Sequence, residues 1–132
     1  MWRVVIGGLP SEFWRETKQM KLPCLNNLIV EHEKITGYLL NLGHRYGATK
    51  ARFFMALGFS VEEWNKLADA LREHGRTHDV AALRETGFGP RYAVEGEVST
   101  PSGDQAFIRS VWQFDHGSVA PRLITAYPVQ KR

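Results

Sequence analysis

The sequence predicts an α+β fold in which three N-terminal helices pack on a four-stranded antiparallel β-meander. Between residues 33 and 75 apolar side chains recur at the 3.6-residue helical period, and after His78 the period changes to two. The later segments are separated by short loops rich in turn formers, which join consecutive strands most simply as antiparallel neighbours. Helices in the first half and strands in the second then place the helices on one face of a single sheet.

The first helix covers residues 33–41, where Ile35, Tyr38, Leu39 and the following Leu42 keep helical spacing up to Gly43. The second runs over about residues 49–57, with Phe53, Phe54 and Leu57 on its buried side and Gly58 as its stop. The third opens on Ser60 and Glu63, a capping box in which each side chain satisfies a backbone N–H of the first turn. Val61, Trp64, Leu67, Ala68 and Leu71 then form one apolar stripe, and Gly75 is the expected end. Residues 79–86, 91–99, 105–114 and 122–129 each read as a strand. Gly87-Phe-Gly-Pro90, Thr100-Pro-Ser-Gly103 and Asp115-His-Gly-Ser118 supply the turns between them.

At 132 residues the chain has room for one modest core, expected over residues 20–132. Residues 1–19 read as an extension. Met20-Lys21-Leu22-Pro23 resembles a second natural start, and residues 11–18 have the composition of a short helix capped by Ser11. No apolar run approaches the roughly 20 residues that span a bilayer, so no membrane partner is expected. The single cysteine, Cys24, has no partner for an internal disulfide, and a reducing cytoplasm is the simplest compartment. No metal or cofactor is expected: His74 and His78 lack a third ligand, and Gly87-Phe-Gly89 lacks the strand-to-helix context of a nucleotide loop.

Charge is nearly balanced, 17 Lys+Arg against 14 Asp+Glu, but it is segregated. No acid lies between Lys34 and Val61, where Lys34, His44, Arg45, Lys50 and Arg52 fall. From His116 onward acids are absent again, while Arg122, Lys131 and Arg132 remain. A one-signed patch makes a local field that recruits anions, and a phosphodiester backbone is the commonest large anion.

The residue types in these segments suit one chemistry in particular. His44 sits in Asn41-Leu-Gly-His-Arg-Tyr-Gly47, a turn between two helices, where an imidazole can face a cleft and exchange a proton. Lys50 and Arg52 follow at the start of the next helix. On the third strand Arg109 shares a face with Phe107 and Val111, and on the fourth Thr125 and Tyr127 lie two apart and share one. Two-metal nucleases need converging carboxylates, which the acid-free segment lacks. Metal-independent RNA cleavage needs instead a group to take the 2′-hydroxyl proton, one to protonate the leaving oxygen, and cations around the phosphorane. A cleft is therefore expected between the basic helical segment and the sheet, with His44, Arg109, Thr125 and Tyr127 as catalytic candidates. Arg45, Lys50, Arg52 and Arg122 are the candidate RNA-binding residues.

Lys34-Ile-Thr-Gly-Tyr-Leu-Leu-Asn41, His44, Gly47, Lys50-Ala-Arg-Phe-Phe54 and Gly58-Phe59 resemble a family of small bacterial domains of unknown function. The resemblance continues through Arg109-Ser-Val-Trp112 and Pro121-Arg-Leu-Ile-Thr-Ala-Tyr-Pro128, covering roughly residues 28–129. The layout of helices before a meander ending in Thr-Ala-Tyr-Pro looks like the barnase–EndoU–colicin–RelE nuclease superfamily. That resemblance implies a metal-independent endoribonuclease toxin of a toxin–antitoxin or conflict system, with roles for His44, Lys50, Arg109, Thr125 and Tyr127. It also implies RNA as substrate and an acidic antitoxin or immunity protein as partner. Glu95 and Glu97 remain alternatives for a carboxylate base. A non-catalytic antitoxin, immunity or RNA-binding protein is the other reading.

Overall fold

Among the described residues the chain enters its sheet before it forms a helix. The computed structural model describes residues 14–131. Strand β1 (Arg15–Met20) pairs antiparallel with β2 (Val80–Thr86), setting Arg15 opposite Leu83 and Met20 opposite Val80. Among the described residues, all the helices lie between these two strands. A 3-10 turn at Leu25–Asn27 leads to α1 (His32–Lys34), which runs directly into a π-helical turn, Ile35–Leu39. Then come α2 (Ala48–Ala56) and α3 (Trp64–Thr77). After β2 the chain adds β3 (Gly89–Val98), β4 (Ala106–Gln113) and β5 (Arg122–Pro128), and the sheet order is β1-β2-β3-β4-β5, every neighbouring pair antiparallel.

This corrects the expected fold class. The sheet has five strands rather than four, and the helices sit between β1 and β2 instead of preceding every strand. The reason is physical. Strand β1, Arg-Glu-Thr-Lys-Gln-Met, is an edge strand whose residues are mostly exposed, so it carries no apolar alternation to read. Backbone pairing holds it, together with a Thr17 hydroxyl that donates to the Val80 carbonyl and a Lys21–Asp79 ion pair at 2.8 Å just beyond its end. Residues 15–18, expected in a short helix, are therefore strand, and residues 11–13 of that helix lie outside the described residues.

The core fills the space between the helices and one face of the sheet. Leu67, Ala68 and Leu71 of α3, Ile35 and Leu39 of the π-turn, and Phe54 of α2 meet Val94, Ile108, Trp112, Leu123 and Ala126. Trp64, on the predicted apolar stripe, is only half-buried, and its indole meets the His32 ring edge-on at 4.6 Å. Gly75 lies inside α3 rather than at its end. A Cβ there would sit 2.8 Å from Trp112 Cζ2, so this glycine lets the helix backbone rest on the indole. Beside it a buried polar chain is fully paired: Trp112 Nε1–H donates to Ser110 Oγ (2.8 Å), and Ser110 Oγ lies 2.9 Å from His74 Nδ1. His74 Nε2 is 3.1 Å from the Gly96 carbonyl, which requires Nε2 to carry the ring hydrogen and Nδ1 to accept from the serine.

Register sorts the rest. Val94 pairs with Ser110 on the helix-covered face, whereas Glu95 pairs with Arg109 and Arg91 with Gln113 on the opposite face, called helix-free here because none of the described helices packs on it. A register shift between Val111 and Trp112 lets Leu123 and Ala126, three apart on β5, both reach the core. Among the described residues no helix is long and apolar enough to cross a membrane.

Candidate functional site

The junction of the π-turn with α2 builds a cleft against the β5 edge. The π-turn, an uncommon geometry enriched at functional sites, carries Tyr38, whose hydroxyl lies 3.0 Å from Thr125 Oγ1. Gly47 is required for the next step of the path. Its backbone passes so close to Tyr38 that a Cβ would sit 2.3 Å from the Tyr38 carbonyl oxygen. Just before it, His44 Nδ1 accepts the backbone N–H groups of Tyr46 and Gly47, both at 2.9 Å. Two bonds accepted at Nδ1 leave the hydrogen of the neutral ring on Nε2.

Lys34, Tyr38, His44, Tyr46, Ile124 and Thr125 line an open cleft of about 440 Å³, and none of them is a carboxylate. Two ammonium groups flank the Tyr38 ring, Lys34 Nζ at 5.2 Å and Lys50 Nζ at 5.5 Å from its centroid. The His44 ring meets Tyr38 edge-on at 5.0 Å. Tyr46 is 66% exposed, and the Arg45 guanidinium lies 5.3 Å from its ring. An exposed aromatic ring beside cations is the arrangement on which single-stranded bases stack.

A second polar group lies along β5 on the helix-free face. Arg109 Nε–H donates to Glu95 Oε2 at 2.8 Å, and its terminal nitrogen reaches the same oxygen at 2.6 Å. Tyr127 stands opposite Arg109 in register. Burial works against this charge, but the hydrogen bonds and charges of Glu95 and Tyr127 outweigh it and hold Arg109 above the usual arginine range.

The expected single cleft is thus divided. His44, Lys50 and Thr125 gather around Tyr38, and Arg109 and Tyr127 gather around Glu95. Thr125 and Tyr127, two apart on β5, connect the groups at a strand spacing of about 7 Å. Arg45 covers Tyr46, and Arg52 is exposed on α2 outside the cleft lining. Arg122 is further along, paired with Asp115 at 2.9 Å. Between the two candidate carboxylates, Glu95 joins Arg109, while Glu97 lies 3.5 Å from Lys131.

The sequence alone puts Tyr38 in the core stripe and gives Lys34 no role beyond its charge. Their i,i+4 spacing was the available signal, since it stacks a lysine over a ring on one helical face. Among the described residues no group of three or more His, Cys, Asp or Glu side chains is placed to hold a metal ion.

Residues 21–130 match the model of a domain of unknown function, DUF6883, and the chain belongs to that family. No functionally curated protein matches it. Among solved structures, a chain of a contact-dependent growth inhibition toxin–immunity protein complex from Klebsiella pneumoniae 342 is similar, with a TM-score of 0.61 and 18% identity. The likeness covers 81% of this chain and 97% of that one, and it shows a shared fold.

Proposed function

We propose that the chain is an RNA-cleaving toxin domain of a bacterial conflict system, acting without a metal ion. The observation that carries this reading is the Tyr38–Thr125 hydrogen bond, 3.0 Å across 87 residues of sequence. It joins the acid-free helical segment to β5 and so brings Lys34, Lys50 and His44 to the strand that also carries Tyr127. The fold shared with a chain of a toxin–immunity complex and the earlier resemblance to the nuclease superfamily support the same reading.

The roles follow from the atoms presented. Lys34 and Lys50 neutralise the phosphodiester, and Tyr46 with Arg45 stacks a flanking base. His44 Nε2–H, fixed by the two backbone bonds at Nδ1, donates to a non-bridging phosphate oxygen. Arg109 stabilises the phosphorane charge. As the 2′-oxygen bonds to phosphorus its proton passes to water, and the Tyr127 hydroxyl gives its proton to the 5′-oxygen as the P–O5′ bond breaks, recovering one from solvent. The 2′-hydroxyl of the substrate is the nucleophile, so RNA is cut and DNA is not.

A second reading, an immunity-type binding protein, has one observation in its favour: the similar chain comes from a complex that holds a toxin and its immunity protein. Incubation of the purified chain with total RNA in EDTA separates the two. Cleavage products ending in 2′,3′-cyclic phosphate, with a DNA oligonucleotide left intact, are expected. Intact RNA, together with tight binding to an acidic partner protein, would establish the second reading instead.

A further inference from the structure

The helix-free face carries a basic pair that the cleft does not use. Arg84 on β2 and Arg91 on β3 stand directly opposite each other in register. Like charges opposed across an antiparallel pair destabilise it. Carboxylates do lie on and beside this face. Three are engaged, Glu95 with Arg109 at 2.6 Å, Asp115 with Arg122 at 2.9 Å and Glu97 with Lys131 at 3.5 Å, and Glu16, opposite Ala82 on β1, forms no ion pair with Arg84 or Arg91. Burial, and then the charges of Arg84 and Arg122, push the Arg91 guanidinium below the usual arginine range, with Asp115 offsetting only part of this. Arg84 Nε is buried, and among the described residues it has no hydrogen-bond partner.

The pair is nevertheless held in position. Arg91 Nε–H donates to Gln113 Oε1 at 2.8 Å, and Gln113 Nε2 donates in turn to the Gly89 carbonyl at 3.0 Å. The Trp14 ring lies between Arg84 and Arg109, with guanidinium carbons 6.0 and 5.9 Å from its centroid. Two opposed cations, one anchored and one with an unpaired donor, ask for an anion.

We propose that Arg84 and Arg91 form a binding site for a phosphate group on the helix-free face of the sheet, with Gln113 fixing Arg91 and Trp14 flanking Arg84. Guanidinium forks match tetrahedral oxyanions bidentately, and a phosphate between them turns the Arg84–Arg91 repulsion into two attractions. The phosphate is either a phosphodiester of RNA, in which case the site rests on the reading above and extends the strand path past Arg109, or a free phosphate or nucleotide. Both present the same oxygens.

Thermal unfolding of the full chain tests the site without any activity assay. At constant ionic strength, replacing sodium chloride by sodium phosphate should raise the wild-type midpoint to a plateau. Arg84→Gln should raise the midpoint in chloride, because the repulsion is gone, and should lose the phosphate increment; Arg91→Gln should lose it too. For RNA as the source, a short single-stranded RNA should bind the wild type about 10-fold more tightly than Arg84→Gln at one fixed salt concentration. A phosphate increment without RNA binding would support the site with free phosphate as its ligand, and would count against the RNA-cleaving reading alone. Equal phosphate increments in the wild type and both variants would overturn the site. So would a polyglutamate peptide that raises the midpoint as much as phosphate does.

Discussion

The Tyr38 hydroxyl and Thr125 Oγ1 lie 3.0 Å apart, joining the π-helical turn to the edge strand β5. A hydrogen bond between two partly buried hydroxyls contributes about 0.5–1.5 kcal/mol. Tyr38→Phe and Thr125→Val should each lose stability in that range, and a double-mutant cycle should return a coupling energy of similar size. Additive losses would show that the two hydroxyls do not interact in solution.

Gly75 should resist even alanine. Replacing a mid-helix glycine by alanine ordinarily gains about 1 kcal/mol, but here the new Cβ would lie 2.8 Å from a buried indole carbon of Trp112 and 3.1 Å from Leu28 Cδ1. Overpacking of that kind costs about 1–3 kcal/mol, so Gly75→Ala should be net destabilising in urea unfolding. Leu67, fully buried on the same helix, should cost roughly 2–5 kcal/mol on truncation to alanine. A stabilised Gly75→Ala would mean that α3 stands off from the sheet.

These two residues also show what the sequence could and could not reveal. The stripe Leu67, Ala68, Leu71 is buried where its spacing put it, because burial on one side of a long helix leaves a 3.6-residue period. Gly75 reads as a helix stop because a glycine near a helix end looks the same whether it caps the helix or receives an indole. Strand β1 left no trace because an exposed edge strand need not alternate. At the site, His44 and Thr125 were legible as residue types. The Tyr38 contact that joins them depends on a π-turn, and the Arg109–Glu95 and Arg84–Arg91 pairings depend on strand register. Neither feature has a signature in a single sequence.

Acid should destabilise the fold through His74. Burial, and then the charge of His78, lower its pKa from 6.5 to about 4 against the smaller opposing effect of backbone hydrogen bonds from Gly96 and Ile108. In the unfolded chain the imidazole takes up a proton below about pH 6.5, while the folded chain holds it neutral down to about pH 4. The unfolded state therefore binds more protons in that window, and stability falls as pH drops from about 6.5 to about 4, then levels off. The full difference is worth roughly 3 kcal/mol. Urea unfolding at pH 7 and at pH 4.5 should show the loss in wild type and a smaller one in His74→Gln. An identical loss in both would assign the acid sensitivity to other groups.

Removing residues 1–19 tests the edge strand. The family match begins at residue 21, and residues 15–19 of β1 contribute backbone pairing and the Thr17 hydroxyl, while Met20, which packs against the core, is kept. A chain beginning at Met20 should still unfold cooperatively, with a stability loss of about 1–3 kcal/mol from the missing strand hydrogen bonds. Loss of the cooperative transition would make β1 part of the minimal fold.

The last prediction separates catalysis from folding at Arg109. Its partner Glu95 has a side chain only 9% exposed, so Arg109→Met removes a short ion pair made by a mostly buried carboxylate. That should cost about 2–4 kcal/mol of stability, and adding Glu95→Gln should recover part of it. His44→Ala removes no such partner; it frees two backbone N–H groups at the rim of an open cleft, and the protein should stay folded. If His44 donates to the phosphate and Arg109 stabilises the phosphorane, each change should slow RNA cleavage in EDTA by about 100-fold or more. Arg109→Met/Glu95→Gln should then regain stability without regaining activity, because the charge that faces the reacting phosphate is still missing. Recovery of both together would mean that Arg109 acts only as a structural counter-ion. Dependence of cleavage on added magnesium would remove the metal-free mechanism altogether.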